Sequence, residues 1–296
     1  MRRILVLGAT GMLGNAIMSF FAAERGDYSV YGSTRTRASH DRFPAQVRDN
    51  LVDGVDVQNT DALLRLFAEL KPDVVINCVG IIKQVADTHD VSVMVPINTL
   101  LPHRLAKLCE LVNARLVHFS TDCVFKGTKG NYTEMDSPDA SDLYGRSKLL
   151  GEVDFPHAIT LRTSIVGREL GSAHGLVDWF LSQEGSVKGF TNAIFSGLPT
   201  VELARVVKGL VLPRPAMRGV YHVSSAPISK YDLLRLVAEI YSKDIEIVPN
   251  GDLVIDRSLD SARFRAETGY APPIWRELIV SMREFDHVLK RARADV

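Results

Sequence analysis

The sequence predicts an α/β fold in which a doubly wound parallel sheet is followed by a smaller C-terminal α+β lobe. Strand-like and helix-like segments alternate through the first half of the chain, and a glycine loop joins the first strand to the first helix. Glycines and prolines interrupt shorter elements in the second half. Alternation of this kind is typical of a parallel sheet covered by helices on both faces. We expect one domain over residues 1–160 and a second, partly interleaved with it, over residues 161–296.

The individual elements follow from hydrophobic spacing. Continuous apolar runs predict strands buried on both faces, and apolar residues at helical spacing predict amphipathic helices. The predicted strands cover residues 4–7, 28–32, 54–57, 74–79, 115–119 and 159–164. The predicted helices cover residues 13–24, 60–70, 98–112, 143–152, 231–241 and 275–290, with Ser229 as the N-cap of the fifth.

Composition excludes several classes of protein. The 296 residues carry a formal net charge of zero, so the chain has no broad basic surface for nucleic acid or anionic lipid. No apolar run approaches the roughly 18 residues that a membrane helix needs. Cys78, Cys109 and Cys123 are odd in number and lack metal-ligand spacing, which argues against a disulfide framework or a metal site. With no signal-peptide pattern at the start, we expect a cytoplasmic enzyme.

A glycine loop follows the first predicted strand. Its glycines recur at three-residue steps, and we expect the whole loop to bind a dinucleotide: Gly8, Thr10, Gly11, Met12, Leu13 and Gly14. Glycine permits the tight turn and the close approach of the backbone to a pyrophosphate, and the N-terminus of the helix offers unpaired N–H groups to the phosphates. In isolation such a loop is as often a plain turn. After the first strand of an α/β pattern it predicts a Rossmann-type cofactor site.

The end of the second strand indicates which cofactor is preferred. An acidic residue there would hold the ribose 2′-hydroxyl of NADH, but this chain has Ser33, Arg35 and Arg37. Arginine and hydroxyl groups suit a 2′-phosphate, so we expect NADPH to be preferred over NADH. The alternative is that both arginines are solvated loop residues.

Two further strand ends are expected near the cofactor. Asp56, with Val57, ends the predicted strand at residues 54–57, where its carboxylate would either contact the adenine or serve as a turn residue. Cys78, Val79 and Gly80 end the strand at residues 74–79, at the edge where open α/β sheets bind their ligands.

The chemistry is predicted by Tyr144 and Lys148, which lie one helical turn apart, downstream of the hydroxyl pair Ser120 and Thr121. An ammonium beside a phenol lowers the pKa of the phenol, and the lysine can also reach the cofactor ribose. A hydroxyl would hold the substrate carbonyl while the tyrosine donates a proton and the cofactor a hydride. The alternative, a core tyrosine with a snorkelling lysine, is disfavoured because the glycine loop and the hydroxyl pair accompany the spacing.

Other reactive side chains are predicted to be structural. His118, His157 and His222 have no ligand spacing, and we interpret them as histidines whose ring nitrogens are satisfied by hydrogen bonds. Cys123 follows the hydroxyl pair without an evident base partner, so we expect it to line the substrate pocket.

These motifs resemble those of the extended short-chain dehydrogenase/reductases, most closely the dTDP-4-dehydrorhamnose reductase branch. The resemblance covers nearly the whole chain and is carried by the glycine loop, by Ser-Thr-Asp-Cys-Val-Phe at residues 120–125, by Tyr-Gly-Arg-Ser-Lys-Leu-Leu-Gly-Glu at residues 144–152, and by Leu-Arg-Thr-Ser at residues 161–164. It implies a domain that binds NAD(P)H and a lobe that binds a nucleotide-sugar. The implied reaction is reduction of the 4-keto group of a 4-keto-6-deoxy sugar nucleotide for polysaccharide precursor synthesis.

The resemblance also assigns residues. The implied catalytic triad is Thr121, Tyr144 and Lys148, with Thr163 near the cofactor. The implied substrate contacts are Ser120, Thr121, Cys123, Tyr144 and Ile165. Two of these depart from the family pattern, because Cys123 replaces an aromatic residue and Ile165 replaces a tryptophan. The sugar and its nucleotide, dTDP or UDP, therefore stay open, as does an N-acetylated UDP-sugar.

Two other functions stay open at the level of sequence. A sugar-nucleotide epimerase or dehydratase would need extra acid–base residues beside the hydroxyl pair. Asp122 follows Thr121, but no glutamate is evident beside it, which favours simple reduction. A regulatory subunit of the methionine adenosyltransferase type uses the same scaffold without catalysis, although an intact tyrosine–lysine pair disfavours that role. A homodimer is possible.

Overall fold

The computed structural model describes residues 1–24, 26, 28–82, 90–170 and 175–294. Strands are numbered in chain order: β1 (Arg2–Leu7), β2 (Tyr28–Ser33), β3 (Leu51–Val52), β4 (Val74–Asn77), β5 (Arg115–Thr121), β6 (Ala158–Thr163), β7 (Ile165–Val166), β8 (Ser186–Phe190), β9 (Ala193–Phe195), β10 (Leu198–Pro199), β11 (Gly219–His222), β12 (Ile228–Ser229), β13 (Glu246–Asn250) and β14 (Ile255–Asp256).

The α-helices are numbered in the same way: α1 (Met12–Ala23), α2 (Ala45–Arg48), α3 (Thr60–Leu70), α4 (Val91–Met94), α5 (Leu101–Val112), α6 (Leu143–Leu150), α7 (Leu176–Ser182), α8 (Thr200–Val206), α9 (Lys230–Tyr241), α10 (Ala262–Thr268) and α11 (Trp275–Ala294). Two 3₁₀ segments cover Arg37–Arg42 and Asp122–Val124, and two π-helical segments cover Val95–Leu100 and Val207–Val211.

One large sheet organises the molecule. Its seven strands lie in the order β11-β6-β5-β4-β1-β2-β3, and every adjacent pair is parallel. The predicted fold class, a doubly wound Rossmann-type sheet, is confirmed. The chain adds strands on one side of β1 and then on the other, so the strand order reverses between β1 and β4. Ligands of open α/β sheets bind at such a reversal, beyond the carboxyl ends of the strands.

The sheet is buried on both faces. Along β1, Ile4 and Val6 face one apolar cluster, while Leu5 and Leu7 face another, because side chains alternate along a strand. The first cluster includes side chains of α1, α8 and α11, and the second includes side chains of α3 and α5. Burial on both faces explains why these strands appear in the sequence as near-continuous apolar runs.

The third predicted strand is wrong. Residues 54–57 form a turn, and β3 lies earlier, at Leu51–Val52, paired with β2. Gly54 has a φ of +72°, a left-handed conformation outside the extended region of a regular strand. The Asp56 carboxylate accepts a hydrogen bond from Gln58 N (2.9 Å), so it acts as a turn residue.

The predicted helix at residues 98–112 begins differently in the structure. A π-helical segment, Val95–Leu100, connects α4 to α5, and it contains Pro96, which cannot donate a backbone hydrogen bond. Other predicted helices agree with the structure to within a few residues. The Ser229 hydroxyl accepts from Asp232 N (3.0 Å), which confirms that N-cap.

The second half of the chain contributes to both parts of the fold. Strand β11 pairs with β6 in the large sheet, whereas β7–β10, β12-β9-β14 and β13–β8 form three small sheets. The division at residue 160 stays a prediction, since it falls within β6. Among the described residues, no helix combines the length and hydropathy needed to cross a membrane.

The carboxyl-terminal end of α6 packs directly on the π-helical segment. A Cβ atom added at Gly151 would overlap the Asn98 carbonyl oxygen, which is backbone and cannot rotate away. We expect Gly151→Ala to lower the free energy of unfolding by about 3 kcal/mol in chemical denaturation. Gly209→Ala is the matched control, because nothing lies within 4 Å of its added Cβ. Equal stabilities of the two variants would contradict this packing.

Candidate active site

Three strand ends meet at the reversal of the sheet. The glycine loop follows β1, Cys78 to Gly80 follow β4, and Thr121 ends β5. In-register pairing of β1 with β4 and of β4 with β5 brings these ends to one edge. The residues predicted to bind cofactor and those predicted to react therefore share one crevice.

The glycine loop has the shape that a pyrophosphate requires. Gly8 has a φ of +79°, and a Cβ at Gly14 would overlap the Gly8 carbonyl oxygen, so both glycines are needed for the turn. Thr10 and Gly11 are exposed, and Gly11 is the N-cap of α1 without a side-chain cap. The first turn of α1 thus presents unpaired N–H groups to the crevice, which fits a dinucleotide phosphate.

The three cofactor residues predicted at the end of β2 differ in their exposure. Ser33 is buried beneath the loop, where Gly8 N donates to its Oγ atom (3.4 Å). Arg35 and Arg37 are exposed in the connection that follows. The serine therefore supports the loop, while the two arginines are the groups that remain accessible to a ligand.

Residues after β4 line the floor of the crevice. Cys78 and Val79 are half-buried and Gly80 is exposed. A Cβ atom added at Gly8 would lie 3.0 Å from Val79 Cγ2. A Cβ atom added at Gly80 would lie 3.9 Å from Lys148 Nζ. This segment thus contacts the glycine loop on one side and the lysine on the other. Burial raises the pKa of the Cys78 thiol, and Lys148 opposes that shift.

Tyr144 and Thr121 come together at the end of β5. Burial is the main cause that raises the pKa of the Tyr144 phenol, and a hydrogen bond with Thr121 opposes the rise. The lowered pKa predicted from the tyrosine–lysine spacing is therefore wrong for this site. Its physical reason is desolvation, reinforced by Cys123 and by two carboxylates, Asp122 and Asp142.

Lys148 is buried behind this pair. Its Nζ atom donates to the Phe119 carbonyl oxygen (2.7 Å), which holds the side chain against β5. Burial lowers the pKa of Lys148 to about 8, while Glu152 and Cys78 act in the opposite direction. The ammonium is therefore positioned by the sheet and stabilised by a carboxylate.

Ser120 does not join the Thr121 hydroxyl. Its Oγ atom donates to Glu152 Oε1 (2.6 Å), on the opposite face of β5, because adjacent residues of a strand point in opposite directions. In this structure the Ser120 hydroxyl is therefore engaged by a buried carboxylate, and its substrate contact stays a prediction. Arg162 on β6 completes this arrangement, with its Nε and Nη2 atoms each 2.7 Å from a Glu152 oxygen.

His222, on β11, forms a hydrogen bond with the arginine of the buried ion pair. Arg162 Nη1 donates to His222 Nε2 (3.3 Å), and His222 Nδ1 donates to the Tyr132 carbonyl oxygen (2.9 Å). The ring is then neutral, in agreement with a pKa that burial lowers. His222 is the satisfied structural histidine that we predicted. His118 satisfies only one nitrogen, since Nδ1 pairs with Asn77 Nδ2 (3.1 Å) and Nε2 has no partner among the described residues.

Asn98 is a site residue that the sequence did not indicate. Its side chain accepts from Ile81 N (2.9 Å) and donates to the Ile81 carbonyl (3.1 Å) and to Ser147 Oγ (3.2 Å). It therefore links the segment after β4 to α6, which carries the tyrosine and the lysine. The one available signal was Pro96 inside a helical pattern, which marks a local distortion of the helix.

The predicted substrate contacts occupy different positions. Cys123 is half-buried in the turn after β5, and its N donates to Thr121 Oγ1 (3.1 Å). Ile165 is 38% exposed on β7. Thr163, assigned to the cofactor, is buried at the end of β6 and donates to the Ser164 carbonyl (3.1 Å). Among the residues with described positions, no group of three His, Cys, Asp or Glu could hold a metal ion.

A family model described as the RmlD substrate binding domain matches residues 1–283. The chain belongs to this family. The match confirms the branch that the sequence motifs indicated.

Individual relatives of this RmlD-family chain carry different names. Methionine adenosyltransferase 2 subunit beta of Danio rerio is 29% identical over 256 residues, covering 81% of this chain and 74% of that protein. A probable low-salt glycan biosynthesis reductase, Agl14, of Haloferax volcanii is 28% identical over 289 residues, covering 90% and 93%. The crystal structure of dTDP-4-dehydrorhamnose reductase from Bacillus anthracis in complex with NADP has a TM-score of 0.78 at 21% identity, covering 96% and 99%, a likeness in fold.

The buried ion pair of this RmlD-family protein generates a stability prediction. The Glu152 and Arg162 side chains are only 8% and 6% exposed. Glu152→Gln leaves the guanidinium buried without a counter-charge, so we expect the free energy of unfolding to fall by about 3 kcal/mol. Denaturant titration would measure the loss.

The control is an exposed ion pair of the same kind. Glu239 and Arg276 are 57% and 54% exposed, so Glu239→Gln should cost no more than about 1 kcal/mol. If the two glutamine variants lose the same free energy of unfolding, the buried Glu152–Arg162 pair does not stabilise the fold more than the exposed pair does.

Proposed function

We propose that this protein is an NADPH-dependent reductase of nucleotide-linked 4-keto-6-deoxy sugars, acting in polysaccharide precursor synthesis. The observation that carries the proposal is the arrangement of Thr121, Tyr144 and Lys148 at one edge of the sheet, beside a glycine loop that fits a dinucleotide. Reduction of a ketone needs one hydride, one proton and a donor that holds the carbonyl oxygen, and this edge offers a place for each.

Tyr144 is the proton donor in this proposal. Burial keeps its phenol protonated at neutral pH, which a donor requires before the reaction. Thr121 holds the carbonyl oxygen beside the phenol. A bound nicotinamide cofactor supplies the hydride, so that hydride and proton together convert the ketone to a secondary alcohol.

Lys148 has two roles in this proposal. Its ammonium donates to the Phe119 carbonyl (2.7 Å) and retains two further N–H donors, which suit the ribose hydroxyls of a cofactor. Its charge also stabilises the phenolate that Tyr144 becomes after proton transfer. The proposed site thus gives each residue its own role. Thr121 holds the carbonyl oxygen, Tyr144 donates the proton, and Lys148 positions the cofactor.

The relatives support this proposal. One relative is named as a probable glycan biosynthesis reductase, and the Bacillus anthracis structure is of a dTDP-4-dehydrorhamnose reductase in complex with NADP. We further infer a cytoplasmic enzyme, because the three cysteines, all of them among the described residues, form no disulfide. A homodimer is supported by exposed apolar side chains along one helical run: Val91, Val93 and Leu100.

The deciding experiment measures NADPH oxidation with a panel of 4-keto sugar nucleotides that contains dTDP- and UDP-linked members. Product analysis separates reduction from epimerisation or dehydration, which consume no net NADPH. Turnover of at least one member is expected. Failure with every member would reject the proposal.

One observation favours a second function. The similarity to methionine adenosyltransferase 2 subunit beta extends over 81% of this chain. A regulatory subunit would bind the dinucleotide without reducing a sugar. Co-purification with a methionine adenosyltransferase catalytic subunit, together with no turnover in the panel, is the result that would favour this role.

Replacement of the proposed proton donor is the most direct test of the mechanism. Tyr144→Phe keeps the ring and removes the proton, so we expect kcat to fall on the order of 100-fold or more with little change in NADPH affinity. Tyr28→Phe is the control, because Tyr28 begins β2 at the opposite edge of the sheet. Near-normal turnover by Tyr144→Phe would exclude the role.

The exposed arginines after β2 predict a cofactor preference. A 2′-phosphate would gain charge-assisted hydrogen bonds from Arg35, whereas the 2′-hydroxyl of NADH would not. We expect the KM ratio of NADH to NADPH to exceed one, to shrink in Arg35→Ala and to decrease with salt, because Arg35 is exposed and screened. Arg2→Ala, at the opposite edge, should leave the ratio unchanged. Equal KM values in the unmodified protein at low salt would contradict the assignment.

A further inference from the structure

Arg257 brings a cation from the second half of the chain to the end of β5. It directly follows β14. Its Nε atom donates to the Phe125 carbonyl oxygen (2.7 Å), and its Nη1 atom lies 3.7 Å from Cys123 Sγ. These two contacts fix the guanidinium against the turn formed by Asp122–Val124.

This position lies next to the proposed reacting groups. Cys123 N donates to Thr121 Oγ1 (3.1 Å), and Cys123 also affects the pKa of Tyr144. The Arg257 charge acts on the buried carboxyl of Asp122, whose pKa burial raises. The guanidinium and the Thr121 hydroxyl therefore both contact Cys123, the guanidinium through the sulfur and the hydroxyl through the backbone N–H.

Most of the donor capacity of Arg257 is not used by the protein. A guanidinium has five N–H donors, of which Nε is engaged by a carbonyl and one on Nη1 faces a sulfur, a weak acceptor. No other hydrogen bond or ion pair of Arg257 exists within the described part of the chain. The side chain is half-buried, so part of it remains accessible to a ligand.

The small size of Cys123 makes this arrangement possible. With 3.7 Å between sulfur and Nη1, a bulkier side chain at residue 123 would require the space that the guanidinium occupies. The pair therefore gives the pocket a polar, cationic wall beside Thr121 and Tyr144 in place of an apolar one.

We propose that Arg257, seated on Cys123, is a specificity-determining residue that donates hydrogen bonds to a neutral oxygen substituent of the sugar. The substituent is a hydroxyl or the carbonyl oxygen of an acylamino group, on a ring carbon near the ketone. This inference rests on the proposed reductase function. A ligand without such an oxygen leaves a half-buried guanidinium unpaired, which is the condition under which a polar site discriminates most strongly.

The first experiment compares steady-state kinetics of Arg257→Met with the unmodified protein, using dTDP-linked 4-keto-6-deoxy sugars and UDP-linked 2-acetamido 4-keto sugars. For the preferred substrate we expect KM to rise roughly 10- to 100-fold, with kcat changed much less. Binding of NADPH, and of free UDP or dTDP, should stay within about twofold, because the contact is to the sugar. Arg265→Met, an exposed arginine of the next helix, is the matched control.

Two kinetic results would overturn the inference. An unchanged KM for every substrate would show that Arg257 does not contact the sugar. A loss of free UDP or dTDP affinity equal to the rise in KM would place the guanidinium on the diphosphate instead. Cys123→Tyr should reproduce the effect of Arg257→Met by displacing the guanidinium, and normal kinetics in that variant would also count against the inference.

A second experiment does not depend on turnover. The charge of Arg257 beside Cys123 favours the thiolate, so iodoacetamide should alkylate Cys123 more slowly in Arg257→Met, as measured by mass spectrometry of the modified peptide. Unaltered alkylation would reject the contact itself. If alkylation is slowed but the protein reduces no 4-keto sugar nucleotide, the contact between Arg257 and Cys123 stands. The proposed function and the sugar specificity are then both rejected.

Discussion

The buried ion pair between Glu152 and Arg162 is the interaction on which most of the site depends. Glu152 follows α6, which carries Tyr144 and Lys148, and Arg162 lies on β6. Ser120, next to Thr121 on β5, donates to the same carboxylate. One pair of charges therefore links the helix that carries Tyr144 to the strands that carry Thr121 and Arg162.

The same carboxylate has an electrostatic effect on Lys148. Burial alone would favour the neutral amine, and Glu152 offsets part of that cost. Because Arg162 pairs with Glu152 through two hydrogen bonds, the carboxylate is held in one orientation. The carboxylate of this ion pair therefore also favours the charged form of Lys148, although burial remains the larger effect.

Much of the fold could be predicted because its causes are local. The apolar runs of β1 and β4 and the glycines at positions 8 and 14 depend on nearby residues and on sheet packing that every parallel sheet shares. The third strand was placed wrongly because Val55 and Val57 look strand-like, while the left-handed Gly54 between two short segments decides the backbone there. The spacing of Tyr144 and Lys148 predicts a lowered phenol pKa because it shows that a lysine is nearby. The spacing carries no information on burial, which raises that pKa.

The contact between Arg257 and Cys123 could not be predicted from the sequence, because it depends on the topology of the folded chain. Arg257 and Cys123 are 134 residues apart, and no periodicity or motif connects them. The Thr121 hydroxyl lies on β5 of the large sheet, and the Tyr144 and Lys148 side chains lie on α6, whereas Arg257 follows a two-residue strand in a small sheet. Changes in the second half of the chain can therefore alter the residues that contact Cys123 without changing the elements that carry Tyr144 and Thr121. That separation allows one scaffold to keep its chemistry constant while the ligand it accepts changes.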